Sequence, residues 1–208
     1  MLFSQLNLSA PLLKAIQDEG YTTPTPVQEK AIPPILEGRD MLAGAQTGTG
    51  KTAGFTLPIL ELLSQKPHSK DKPLLRVLIL TPTRELAAQV GESVKAYGKY
   101  LPFKSAVIFG GVGIQPQIQT LRAGIDILVA TPGRLLDHVS QGTIDLRHIE
   151  TFVLDEATSV CFEEWSKEHT FYCHFTPMEI DEGLYGDTIF VCKHCGHTVD
   201  IYGIKIHV

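Results

Sequence analysis

The run Ala45-Gln46-Thr47-Gly48-Thr49-Gly50-Lys51-Thr52 limits what this 208-residue chain can fold into more than any other feature. It follows a short apolar stretch at 41–44 and precedes a helical pattern at 51–64, so strand, glycine-rich turn and helix start come in immediate succession. Small residues let backbone N–H groups wrap phosphate oxygens. The helix N-terminus adds its positive dipole end, and Lys51 can reach the β- and γ-phosphates. Thr52 supplies a hydroxyl suited to Mg²⁺. The first glycine of the general pattern is replaced by Ala45, which is acceptable where that position does not need positive φ. The plain alternative is a glycine-rich turn carrying a surface lysine.

The surrounding pattern favours the phosphate cradle. Short apolar runs at 41–44, 76–80, 105–109, 126–130 and 151–154 read as strands buried on both faces. Helical stretches at 9–19, 26–36, 51–64, 84–100, 115–123 and 132–141 alternate with them. This is the order of an α/β fold with a mostly parallel sheet. Ser9 and Thr25 are expected N-caps, and Pro26 suits a first helical turn. Asp155 and Glu156 close the run 151–154, at the carboxyl end of a parallel strand where ligands of such sheets collect. Asp155 is expected on Mg²⁺ and Glu156 as the group that positions and deprotonates water.

Charge divides the chain. Residues 1–157 hold 15 Lys/Arg and 15 Asp/Glu, whereas residues 158–208 hold 3 and 8, together with all four cysteines and five of the eight histidines. Hydrophobic residues at 43% and charged residues at 20% exclude disordered and fibrous classes. No run approaches the ~20 apolar residues that span a bilayer. The N-terminus has neither a charged nor an apolar leader region, so the expectation is a cytoplasmic chain without a membrane partner.

Residues 1–157 resemble the DEAD-box RNA helicases, most closely the bacterial RhlE type. Tyr21-Thr22-Thr23-Pro24-Thr25-Pro26-Val27-Gln28 is similar to the Q motif, with Phe3 as the isolated upstream aromatic. Pro82-Thr83-Arg84-Glu85-Leu86-Ala87 resembles motif Ia, Gly110-Gly111 the GG doublet, Gln119-Thr120-Leu121-Arg122 the QxxR element and Thr131-Pro132-Gly133-Arg134 motif Ib. The resemblance implies a three-layer α/β/α RecA-like P-loop domain at 1–157 that uses ATP and Mg²⁺. Lys51 and Glu156 would be the catalytic pair, and Gln46, Thr47, Gly48, Thr49, Gly50, Lys51 and Thr52 would cradle the nucleotide. Thr52 and Asp155 would hold the metal, Gln28 would read the adenine edge, and Tyr21 would pack on its ring. It also implies sequence-independent RNA contacts from Pro82, Thr83, Arg84, Gly110, Gly111, Gln119, Arg122, Thr131, Pro132, Gly133 and Arg134. Hydroxyls, helix-start N–H groups and single arginines are backbone-positioning contacts, in keeping with this chemistry. Local neutrality adds that RNA affinity rests on placed contacts rather than a broad basic field.

The resemblance ends after Ala157, with Thr158 where the family has aspartate. No Ser-Ala-Thr element or arginine-rich motif VI follows, so Mg-ATP binding with little unaided hydrolysis and no unwinding is the expectation. The function expected is that of the ATP- and RNA-binding half of an ATP-dependent RNA helicase. The alternatives are a non-catalytic ATP-binding module acting through its tail, or a truncated or fused gene product. Residues 158–208 read as a small β-rich segment, with strands at 171–175 and 188–192 and a hairpin at 197–207 around Gly203. Cys192-Lys193-His194-Cys195 is similar to a zinc knuckle, and His169 with Cys173 would complete a zinc-ribbon-like Zn²⁺ set. Cys161 and His174 are substitutes, and reduced thiols or a disulfide remain open. The acidity of the tail suits a protein partner. A sheet that ends after its 151–154 strand exposes an edge that the tail is placed to cover.

Overall fold

The computed structural model describes residues 1–43, 48–66 and 73–155, and beyond them the strand segments 172–173, 176–177, 179–182, 188–191, 198–200 and 204–207. A 3-10 turn at Phe3–Gln5 leads into α1 (Ala10–Asp18) and α2 (Pro26–Leu36), then β1 (Met41–Ala43) and α3 (Lys51–Gln65). Regular alternation follows: β2 (Val77–Leu80), α4 (Arg84–Tyr97), β3 (Ser105–Ile108), α5 (Ile114–Arg122), β4 (Ile127–Ala130), α6 (Pro132–Ser140) and β5 (Thr151–Leu154). Strands β2, β4, β5 and β3 are parallel, in register Val77↔Ile127, Val77↔Thr151 and Ser105↔Ile127.

Side chains of one strand alternate between the two faces, and each face meets its own helices. Val77, Ile79, Ile127, Val129 and Val153 pack with Leu12 of α1, Ile32 of α2, Leu57 of α3 and Val90 of α4. Leu78, Leu80, Leu128 and Ala130 turn the other way and meet Leu121 of α5 and Leu135 of α6. The result is the three-layer α/β/α arrangement that continuous apolar strands demand. Phe3 is 5% exposed and belongs to the first of these cores.

Thr25 is the N-cap of α2, where its backbone N–H donates to Gln28 Oε1 at 3.0 Å. Ser9 precedes α1, but its hydroxyl caps nothing. Its backbone N–H instead donates to the Glu61 carboxylate at 2.8 Å. The expected helix 84–100 ends at Tyr97: Gly98 N–H still reaches Val94 O, four residues back, whereas Lys99 N–H reaches Ala96 O, only three back, and the α-helical ladder breaks off. Among the described residues no helix is long and apolar enough to cross a membrane.

The remaining strands are β6 (Tyr172–Cys173), β7 (Thr176–Pro177), β8 (Glu179–Glu182), β9 (Thr188–Val191), β10 (Thr198–Asp200) and β11 (Ile204–His207). β6 pairs with β7, and β8, β9 and β10 form an antiparallel sheet. The hairpin expected at 197–207 does not form: β10 pairs with β9, whereas β11 enters the main sheet. There it lies between β1 and β5, antiparallel to both, giving the order β1-β11-β5-β2-β4-β3. Residues 204–207 are therefore part of the sheet that carries the first 155 residues. Among the described residues, the backbone of β1 finds sheet partners only on β11, with Met41↔Ile206, Leu42↔Lys205 and Ala43↔Ile204.

Candidate nucleotide and nucleic-acid sites

Parallel strands bring their carboxyl ends to one edge, and the expected functional residues follow those ends. Gly48 (φ 82°) and Gly50 (φ 85°) take the left-handed conformation, and Gly50 is the N-cap of α3. A Cβ at Gly50 would collide with the Gln28 amide, so backbone conformation and lack of room both call for glycine. Lys51 and Thr52 occupy the first turn of α3, where backbone N–H groups have no intrahelical acceptors. Asp155 is 2% exposed at the end of β5, and its N–H donates to Leu80 O at 2.9 Å. One strand separates β1 from β5, so the two chain ends stand about 10 Å apart on the same edge. Such a cradle with a buried carboxylate beside it suits a metal-bound nucleotide phosphate. Gln46, Thr47 and Glu156 lie outside the described residues.

Gln28 is 4% exposed and joins α2 to the phosphate loop. Its Oε1 accepts from Thr25 N–H at 3.0 Å, and its Nε2 donates to Gly50 O at 3.0 Å. One lone pair and one N–H of the amide are thus engaged by protein, leaving one of each in the side chain's bonding capacity. Tyr21 is 44% exposed, with its hydroxyl 3.3 Å from that of Tyr97 and the two rings tilted at 48°. Burial, and then the Tyr21 hydroxyl, hold the Tyr97 hydroxyl above the usual tyrosine range.

A second depression of about 610 Å³ opens where the loops after β2, β3 and β4 meet. Pro82, Thr83 and Arg84 come from the first loop, Gly110 and Gly111 from the second, and Thr131, Gly133 and Arg134 from the third. Glu85 and Asp137 also line it, so two arginines and two carboxylates balance. Thr83 Oγ1 accepts from Leu86 N–H at 3.2 Å and caps α4. Arg84 is exposed and directs Nη1 to Gly110 O at 3.4 Å. Gly111 takes φ 80°, a left-handed conformation that favours glycine, and a Cβ there would push the exposed Arg84 guanidinium aside. Pro132 is the first residue of α6.

Two expected members of this surface fall elsewhere. Gln119 and Arg122 do not line the groove, and Arg122 lines a separate depression with Leu74, Ile125 and Arg147. The cause is helix direction: α5 starts at the functional edge and runs back from it, carrying Arg122 about 12 Å along the helix axis from Ile114. Arg134 is in the groove but is enclosed. Its side chain is 9% exposed, Nη1 donates to Gln117 Oε1 at 3.1 Å and Nη2 to Val112 O at 3.0 Å. Its Nε lies 3.3 Å from the Asp137 carboxylate, an ion pair without hydrogen-bond alignment. Sequence reasoning missed Gln117, Asp137 and His138. The signal was available, since Arg134, Asp137 and His138 have the i, i+3, i+4 spacing of one helix face.

For zinc, the described residues contain no group of three or more His, Cys, Asp or Glu placed to hold a metal ion. His169, Cys192 and Cys195 lie outside them, and Cys173 is described as part of the β6 backbone.

Comparison with known proteins agrees with this arrangement. A family model described as DEAD/DEAH box helicase matches residues 25–174. The ATP-dependent RNA helicase CshA of Limosilactobacillus reuteri is 48% identical over 157 residues, covering 76% of this chain and 31% of the relative. The ATP-dependent RNA helicase SrmB of Escherichia coli K12 is 48% identical over 155 residues, covering 74% and 35%. The chain thus spans about a third of the length of these curated relatives. A crystal structure of a hypothetical ATP-dependent RNA helicase from Sulfolobus tokodaii superposes with a TM-score of 0.67 at 39% identity, covering 77% of this chain and 45% of that one. With a matching phosphate-loop fold and a family model that covers most of its length, the chain belongs to the DEAD/DEAH box helicase family.

Proposed function

We propose that this chain is the ATP- and RNA-binding half of a DEAD-box RNA helicase, in which nucleotide state is coupled to RNA remodelling. The observation that carries the reading is the convergence of the Gly48–Gly50 turn, Lys51, Asp155 and the 82–84, 110–111 and 131–134 loops on one sheet edge. Lys51 would neutralise the β- and γ-phosphates, and Thr52 and Asp155 would hold Mg²⁺. Glu156 orients and deprotonates the attacking water. Bound Mg²⁺ would offset negative charge on the phosphate oxygens. Gln28 offers its remaining N–H and lone pair to the adenine edge while held against Gly50, which ties base recognition to the phosphate loop. Tyr21 presents its exposed ring.

Along the groove, Arg84 and the Thr131 hydroxyl meet RNA phosphates, as do N–H groups at the starts of α4 and α6. The balanced lining makes this binding weak and independent of base sequence. Affiliation to the RhlE type, zinc in the tail and a protein partner for its acidic sequence belong to the same proposal and rest on sequence pattern. Arginine chemistry on the γ-phosphate is assigned by resemblance to a second RecA-like domain and is worth about 10³–10⁵ in turnover. Mg-ATP binding with little unaided hydrolysis is therefore expected of residues 1–208 by themselves. The test is RNA-stimulated ATP hydrolysis beside nucleotide binding, with Glu156→Gln as control. Failure to bind Mg-ATP would overturn the reading, and RNA-dependent turnover absent from the variant would extend it to full catalysis.

A further inference from the structure

Behind the groove stand Gln117 on α5, His138 on α6 and Thr143 in the turn after it. Gln117 Nε2 donates to Phe109 O at 3.1 Å, which orients the amide and turns Oε1 toward α6. That oxygen accepts from Arg134 Nη1 at 3.1 Å and lies 3.3 Å from His138 Nε2. An amide oxygen only accepts, so the contact requires a proton on Nε2. His138 is fully buried. Neutral, it presents a bare Nδ1 to the Thr143 hydroxyl 2.7 Å away, which then donates. As a cation, its Nδ1 would donate to Thr143 Oγ1, whose proton would turn to His138 O at 3.0 Å. The charged groups that act on His138 both come from α6: Arg134 disfavours the cation and Asp137 favours it. From α5 and the turn after α6 it meets the uncharged Gln117 and Thr143. Burial acts first, then Arg134, and together they hold the imidazole below its ordinary range.

We propose that Gln117 is a positioning residue of the RNA groove, holding Arg134 and a neutral, Nε2-protonated His138 in one arrangement and so fixing the 110–113 turn against α6. One amide ties three elements: the end of β3 through Phe109 O, α6 through Arg134 and His138, and the turn through the bond from Arg134 to Val112 O. Arg134 shapes the groove from within, leaving Arg84 as its exposed cation. The proposal rests on reading this groove as an RNA site, and the experiment separates the two ideas.

In the full chain, the ¹⁵N shifts of the His138 ring at neutral pH are expected to show Nε2–H with an unprotonated Nδ1. An Nδ1–H tautomer would overturn the proposal whatever RNA does. Gln117→Leu is then compared with wild type for binding of a short single-stranded RNA and of a Mg-ATP analogue. RNA affinity is expected to fall about tenfold, the scale of lost bonds to charged groups, with nucleotide affinity unchanged. Unchanged RNA affinity would refute the positioning role. Should that variant fail to fold, Gln117→Glu decides: it keeps the acceptor, and its carboxylate is expected to convert His138 to the doubly protonated ring. A His138 ring that stays neutral in that second variant would refute the contact. Arg84→Ala is the control for the groove itself: RNA binding indifferent to it defeats the site reading, while the ring shifts still judge the network.

Discussion

The proposed nucleotide site and the proposed RNA groove share one sheet edge but are held by different means. At the phosphate loop, backbone conformation dominates: two left-handed glycines, a helix start, and a strand whose sheet partner is β11. In the groove, three loops follow the adjacent parallel strands β2, β4 and β3, and side chains bolt them together through Arg84, Arg134 and Gln117. The difference teaches that a short contiguous run can specify the first kind of site. The second kind depends on residues scattered between the motifs.

The sharpest break in this comparison is Lys51→Ala. It is expected to weaken Mg-ATP binding about a hundredfold, the scale of lost charge-assisted bonds, and to leave RNA binding intact when the two affinities are titrated separately. Next comes Ile206→Pro, which places a residue without an N–H in an interior strand and disturbs pairing beside β1. Its cost is about 1–3 kcal/mol, expected as a lower melting temperature and weaker nucleotide binding, with RNA affinity changed least. Equal loss at both sites would show that the groove also depends on β11. Arg84→Ala is smaller: RNA affinity should fall several-fold and the slope of log affinity against log salt should flatten by about one phosphate contact, with ATP binding unaltered.

The smallest effect lies at the opposite sheet edge, where Glu150 meets Arg76 at 2.7 Å and Lys66 at 2.6 Å. Arg76 first, against a raising effect of burial, and then Lys66 hold the Glu150 carboxyl below its usual value. A depressed carboxylate pKa stabilises the fold above the unfolded value, and that stability is lost as pH falls through the folded one. Glu150→Gln should therefore cost a few tenths of a kcal/mol at neutral pH, since exposed pairs are screened. The difference should vanish in acid melting curves, while both binding sites stay unaffected.

Legibility followed the same division. Each of the five strands and six α-helices described within residues 1–155 was readable from apolar runs and breakers, with ends off by a residue or a few. Gln119 and Arg122 were expected in the groove but do not line it, because linear order does not reveal that α5 runs away from the edge it starts on. Gln117 and His138 escaped notice because each is an ordinary residue alone and gains a role only when β4 brings α5 and α6 together. The tail hairpin failed for a related reason. Alternation around Gly203 announced two strands, but pairing was decided by the sheet gap between β1 and β5, which local pattern cannot see.

Because β11 runs against its neighbours, it enters the sheet beside Ala43 and Leu154 at the functional edge and reaches His207 opposite Phe152. Residue 207 therefore stands at the far side of the sheet from that edge. A label carried at residue 207 would stand on the far side of the sheet from the Gly48–Gly50 turn and the loops after β2, β3 and β4, and would report on the sheet without touching its working edge.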